Sequence, residues 1–167
     1  MVAKRGGICE KWTAGKSGWP DRIILLPDGK VGFVELKAPG KKPRPLQAHR
    51  HNQLRQLGMI FHVIDDVTEI GKENSLTRVN SVTLEIGEVT GVLPDYFEDC
   101  FRWACDRTKL LKGAKLNMLT IPAVTFCEDC KKTYPTVEFG KICPNCGSDR
   151  TYLLQGNGFS IKEIEAE

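Results

Sequence analysis

Four cysteines stand in two pairs, Cys127-Glu128-Asp129-Cys130 and Cys143-Pro144-Asn145-Cys146, with twelve residues between the pairs. Thiolates are soft ligands that suit a tetrahedral Zn²⁺, and two such knuckles close a four-sulfur shell. That shell has no open coordination position, so the spacing predicts a structural zinc and not a catalytic one. Pro144 and Gly147 fit a tight turn whose backbone N–H groups can reach sulfur. The competing chemistry is redox, but redox Cys-x-x-Cys motifs usually come singly and beside a βαβ unit. Cys100 and Cys105 fall on an apolar helical stripe and read as core, while Cys9 has no assignment.

A second set of residues lies near the start of the chain. Trp19-Pro20-Asp21-Arg22 is followed by an apolar strand and then by Glu35-Leu36-Lys37. Glu35 and Lys37 are two apart on one strand and therefore share a face. Asp21, at the start of the partner strand, can converge on that face. Two carboxylates can hold Mg²⁺, and the lysine can orient an attacking water. This is the order of a PD-(D/E)xK nuclease. The same charges at a strand end also fit a solvated edge.

The elements that would position these groups follow from periodicity. Residues 1–18 are basic and glycine-rich and read as a helix end or loop. Ile23–Leu26 and Val31–Leu36, joined at Pro27-Asp28-Gly29, read as a hairpin. Leu46–Leu57 has helical spacing with Gly58 as a cap, and Met59–Ile64 reads as a third strand, which implies a crossover with parallel pairing. The polar stretch 65–74 reads as a boundary. Val82, Leu84 and Ile86 alternate within a strand over Val79–Gly87. Pro94 opens a helix whose Phe97, Cys100, Phe101, Ala104 and Cys105 make one stripe. Ala114–Ile121 is a further strand, and Leu153–Leu154 and Phe159–Glu165 are final strands turning at Gly156-Asn157-Gly158.

Composition sets the outer bounds. The chain has 167 residues, 41% of them hydrophobic, enough for one domain or two small ones with a packed core. No apolar run approaches the ~18 residues of a membrane span. No basic-then-apolar leader opens the chain, so a cytoplasmic location is expected. In a reducing compartment the seven cysteines favour metal ligation or core packing over disulfides. Residues 1–70 carry 12 Lys/Arg against 7 Asp/Glu, a net of +5, and residues 71–167 carry 12 against 14, a net of −2. This asymmetry suggests two modules, with the basic one the better candidate for DNA.

Three stretches carry a family resemblance in the second half. They are Val79-Asn80-Ser81-Val82-Thr83-Leu84-Glu85-Ile86-Gly87-Glu88, Val89-Thr90-Gly91-Val92-Leu93-Pro94, and the two cysteine knuckles with Gly147. From about Glu69 to Glu167 the chain resembles the HypA family, nickel metallochaperones of hydrogenase and urease maturation. The resemblance implies an α+β fold: a small α/β domain at 68–167 with an inserted zinc domain at 122–150, its ligands Cys127, Cys130, Cys143 and Cys146. It implies Ni²⁺ as cargo and, as partners, a HypB-like GTPase and a hydrogenase large subunit. The family's Met-His-Glu opening binds Ni²⁺ through the terminal amine, the histidine ring and backbone nitrogens. Here the chain opens Met1-Val2-Ala3, and His49, His51 and His62 all precede the resembling segment. The nickel ligands, and most of the family's first helix, are expected to be absent.

Gly18-Trp19-Pro20-Asp21-Arg22, Val34-Glu35-Leu36-Lys37-Ala38-Pro39-Gly40, and Gln47 followed by Leu54-Arg55-Gln56-Leu57-Gly58 carry a different one. Residues 6–66 resemble a phage-type VRR-NUC nuclease domain. This implies a partial PD-(D/E)xK module at 1–67, with Asp21, Glu35, Lys37 and Gln47 as a Mg²⁺-dependent active site on DNA. Lys41, Lys42, Arg44 and Arg50 would meet phosphates, and His49 and His51 would be exposed and not ligands. This family's first helix is also almost wholly missing. The two resemblances meet at a junction near Val67.

Overall fold

The computed structural model describes residues 2, 4, 6–27 and 30–167. Asp28 and Gly29 of the expected hairpin turn lie outside them. The chain divides into two compact units, 1–55 and 56–167. The division falls twelve residues ahead of Val67.

The first unit holds three short strands, β1 (Ile8–Lys11), β2 (Arg22–Leu25) and β3 (Val31–Val34). They form an antiparallel meander in that order, with Lys11 opposite Arg22 and Arg22 opposite Val34. The expected β2–β3 hairpin is present. Strand β1 stands where a loop or helix end was expected: Ile8, Cys9, Glu10 and Lys11 are all exposed and give no alternation to read.

Helix α1 (Pro45–Glu73) begins with proline at its first residue, where the missing N–H costs nothing. It overturns the expected third strand. Met59–Ile64 is helical, Gly58 lies mid-helix and caps nothing, and the strands of the first unit pair antiparallel among the described residues. Ile60, Val63, Ile64 and Val67 are buried at helical spacing. A six-residue apolar run taken alone does not separate a strand from one face of a buried helix. The polar stretch 65–74 is, as far as Glu73, the last part of the same helix, and the boundary between the two units falls inside α1.

The second unit is built on β4 (Val79–Gly87), the central strand of a sheet whose order is β5-β4-β9. Strand β5 (Lys115–Ile121) pairs with it parallel and β9 (Phe159–Ala166) antiparallel. Helix α2 (Pro94–Cys105) connects β4 to β5, and a parallel neighbour requires such a crossover. One face of β4 presents Val82, Leu84 and Ile86 to Ile60, Val63 and Val67 of α1 and to Phe97, Phe101 and Ala104 of α2. The other face is polar: Ser81 Oγ donates to Glu165 at 2.7 Å, and Asn117 Nδ2 donates to Thr83 at 3.3 Å. Burying each large side chain of this core is worth about 1.5–3 kcal/mol. Cys105 belongs to the core, and burial, aided by the Asp106 charge, pushes its thiol up to about 12.

Between β5 and β9 the chain makes a second small sheet of β6 (Val124–Cys127), β7 (Thr133–Pro135) and β8 (Thr151–Gln155), in the order β7-β6-β8. A single helical turn, α3 (Thr136–Phe139), follows β7. The insert's sheet therefore runs on to Gln155. No helix among the described residues is long and apolar enough to cross a membrane.

Candidate metal centre

Cys127 closes β6, and the chain then turns back sharply, with Lys131 at φ 60°. The Lys131 N–H donates to the Cys127 carbonyl at 3.0 Å, and the Cys127 N–H to the Lys132 carbonyl at 2.9 Å. The second pair repeats this turn. Gly147 N–H donates to the Cys143 carbonyl and Cys143 N–H to the Ser148 carbonyl, both at 2.9 Å. Gly147 has φ 73°, a left-handed conformation that glycine adopts without strain, as the knuckle spacing led one to expect.

These turns bring all four sulfurs within 4.8 Å of one another. Cys127 and Cys146 Sγ are 3.6 Å apart, as are Cys130 and Cys143 Sγ. A disulfide needs about 2.05 Å, and the cysteines are free thiols. A tetrahedron of Zn–S bonds near 2.3 Å places its sulfurs ~3.8 Å apart, so the quartet has the size of a tetrahedral metal shell. Among the described residues this is the group of three or more such ligands that converges on one point.

The thiols do not all ionise among themselves. Burial pushes Cys143 up, but backbone N–H groups of Asn145 and Cys146 and the adjacent thiols outweigh it and bring it down to about 6. At Cys146 the Ser148 N–H favours the thiolate, yet burial and three neighbouring sulfurs drive it to about 12. Four negative charges at this spacing repel, and a divalent cation at the centre removes the repulsion.

Three polar residues that the spacing did not single out tie the knuckles together. Asp129, between Cys127 and Cys130, accepts hydrogen bonds from the Ser148 hydroxyl and the Arg150 guanidinium. The Ser148 bond, followed by Arg150, holds the Asp129 carboxyl below its usual range. Aside from its turns, the insert has a core of only Cys127, Tyr134 and Cys143, with Cys130 packed against them.

In the first unit, three of the four residues singled out by sequence meet. Lys37 Nζ lies 2.8 Å from Glu35 Oε1, and Gln47 Nε2 donates to the same oxygen. Gln47, on the first turn of α1, is buried and also accepts the Arg44 N–H. Asp21 reaches the next residue along, its Oδ1 accepting the Leu36 N–H at 3.1 Å. Glu35 Oε2 is buried and has no hydrogen-bond partner. Lys41, Lys42 and Arg44 are exposed. Arg50 is engaged elsewhere, stacked over Trp19 and donating to Gln53 at 2.6 Å. His49 is exposed and His51 half-buried.

Two further residues gave no sequence signal, because a polar residue on a helix or at a strand end reads as surface. Gln56 is buried in α1 and accepts the Leu93 N–H at 3.0 Å, and Glu88 accepts the Ala123 N–H at 2.9 Å.

With this geometry in hand, comparison with known proteins is specific. The family model described as hydrogenase/urease nickel incorporation, metallochaperone, hypA matches residues 55–166. The hydrogenase maturation factor HypA of Geobacter metallireducens is 41% identical over 90 residues, 54% of this chain and 81% of that protein. HypA of Geotalea uraniireducens is 38% identical over 106 residues, 63% of this chain and 96% of the relative. Among solved structures, the nickel metallochaperone HypA from Helicobacter pylori has a TM-score of 0.53 at 21% identity, covering 66% of this chain and 96% of its own. At that identity the structural likeness shows the fold.

The match begins at Arg55, well ahead of Glu69, and takes in α1 from residue 55 onward. This corrects the expectation that most of the family's first helix is absent. It also brings His62, exposed on α1, inside the matched segment. Residues 1–54 lie outside the match.

Proposed function

The chain belongs to the HypA family of hydrogenase maturation factors and nickel metallochaperones, and from that premise we propose that its four-cysteine insert holds one structural Zn²⁺ and that the family's amino-terminal nickel ligands are missing from it. The observation that carries this is the sulfur quartet within 4.8 Å, inside the family-matched segment. Cys127, Cys130, Cys143 and Cys146 would supply all four ligands, and the ion would fold the insert without doing chemistry. The module would occupy residues 56–167 and work in the cytoplasm with a HypB-like GTPase and a hydrogenase large subunit.

Square-planar Ni²⁺ calls for imidazole or amide nitrogen. Where the family match begins, Arg55-Gln56-Leu57 stand within α1, where amide nitrogens serve the helix and no side chain is an imidazole. Metal analysis joined to a calorimetric Ni²⁺ titration tests the proposal. One equivalent of zinc that nickel does not displace is expected, with no sub-micromolar nickel site. Displacement of the zinc, or tight one-to-one nickel binding, would contradict it.

A second reading concerns residues 1–55 and rests on the meeting of Glu35, Lys37 and Gln47 beside Asp21. Mg²⁺ takes oxygen ligands and retains waters, and the free Glu35 Oε2 with the Asp21 carboxylate fits such a donor set. Bound there, Mg²⁺ would supply Lewis-acid activation for phosphodiester hydrolysis on DNA. Lys37 would hold Glu35 and steer the water, and Gln47 would fix the carboxylate. Cleavage of supercoiled or branched DNA with Mg²⁺ is expected to fall by about 10²-fold or more in Lys37→Ala. Equal rates in both proteins would leave Glu35–Lys37 as an ordinary surface ion pair.

A further inference from the structure

We propose that Glu88 is the positioning residue that sets the attitude of the four-cysteine insert on the α/β sheet. The proposal concerns the mechanics of the metal-organised insert and so rests on the zinc reading above. The chain leaves the sheet at Ile121-Pro122-Ala123 and returns at Gln155-Gly156-Asn157-Gly158. Both crossings lie against the end of β4. Glu88 N–H donates to the Ile121 carbonyl, Val89 N–H to the Gly156 carbonyl and Gly87 N–H to the Gly158 carbonyl, each at 2.9 Å.

These backbone bonds hold the crossings themselves. Ala123, the first residue past Pro122, is held differently. It is 1% exposed, and its N–H has the Glu88 carboxylate as acceptor at 2.9 Å. Its carbonyl accepts the Thr136 N–H, also at 2.9 Å, from the insert's own helical turn. Glu88 therefore grips both sides of Pro122, which has no N–H of its own to donate. Ala123 passes that grip to the insert. Gln155 Nε2 links the two crossings by donating to the Pro122 carbonyl at 3.0 Å.

The close packing beneath leaves no slack. A Cβ on Gly87 would land on the Gly156 carbonyl, and one on Gly156 would land on the Ala123 backbone. Beside this junction lies a cleft of about 410 Å³, lined by Glu85 and Phe159 of the sheet and by Leu154 and Gln155 of the insert. The width of that cleft follows from the angle that Glu88 fixes. Removing the carboxylate leaves a buried N–H without an acceptor and frees a swivel at Pro122–Ala123.

The test compares Glu88→Ala and Glu88→Gln with the parent chain, all full length and zinc-loaded. Residual dipolar couplings report whether β4, β5 and β9 share one alignment tensor with β6, β7 and β8. In the parent and in Glu88→Gln, whose amide oxygen still accepts, a single tensor is expected. In Glu88→Ala two tensors are expected, with Ala123 amide exchange faster by about tenfold or more and zinc still at one equivalent. A single tensor with unchanged Ala123 exchange in Glu88→Ala would overturn the proposal, as would identical behaviour of the two variants. The zinc content of the parent chain tests the underlying reading separately.

Discussion

Replacing Cys143 with serine is expected to drop bound zinc from one equivalent to near zero and to unfold the insert while the α/β sheet stays folded. The reason lies in how little else holds residues 122–155 together. Their buried cluster is Cys127, Tyr134 and Cys143, so two of its three members are proposed ligands. Burial of one tyrosine is a small return on ordering the backbone of the whole insert. A structural zinc contributes on the order of 10–16 kcal/mol to small domains of this kind. Cys143 is 1% exposed and receives the Asn145 and Cys146 N–H groups at its sulfur, so a serine oxygen there is a harder and poorer ligand in a shell made for thiolates. The α/β core draws on α1, α2 and β4 and includes none of the four cysteines. Metal analysis with residue-level amide exchange reads both halves at once. Loss of protection confined to the insert is the expected pattern. A zinc-free variant with a fully protected insert would remove the metal as its organising element.

Why the metal centre could be read from the chain, and the first helix only as far as Leu57, is a matter of which physics each depends on. Ligand spacing is local: two Cys-x-x-Cys knuckles fix their sulfurs within a few residues, and β6 and β8 need only bring the knuckles together. The alternation of Val82, Leu84 and Ile86 and the stripe of Phe97, Phe101 and Ala104 are long enough to identify β4 and α2. Past Leu57, helix α1 hides its period. Gly58 interrupts it, Met59–Ile64 is apolar nearly throughout, and the polar residues after Ile64 are its solvent face, broken only by Val67 and Gly71. Strand β1 carries no pattern because none of its side chains is buried. Glu88 and Gln56 lie beyond sequence reasoning for another reason. Each satisfies a backbone N–H 35 or 37 residues away, and such a partnership exists only in the folded chain. The Glu35–Lys37 pair was legible from its i, i+2 spacing, although β3 ends at Val34 and both residues lie just past the strand, and Gln47 joins them through the first turn of α1.

The core that carries the sheet should be far more sensitive than its surface, and neighbouring aromatic residues of α2 allow the comparison on one helix. Phe101→Ala is expected to cost about 3–5 kcal/mol and to lower the melting midpoint by roughly 10 °C or more. Phe101 is 1% exposed and belongs to the buried cluster that also holds Ile60, Val63, Leu84 and Leu111. Domains of this size hold only about 5–15 kcal/mol in total, so the loss is a large share of it. Trp103, two residues on, is 47% exposed, edge-on to Phe61 and covered by the Arg107 guanidinium 3.5 Å from its ring centre. Trp103→Ala loses those partly solvated contacts and should cost about 1 kcal/mol. Zinc should remain at one equivalent in both variants below their melting points, because the quartet and the α/β core share no buried residue. Chemical and thermal denaturation followed through tryptophan-independent signals, with metal analysis alongside, give these quantities. If Trp103→Ala proved as damaging as Phe101→Ala, the assignment of α2's inward face to the phenylalanines would be wrong. If Phe101→Ala released the zinc, the two layers would be thermodynamically one, and the local failure expected of Cys143→Ser could not occur.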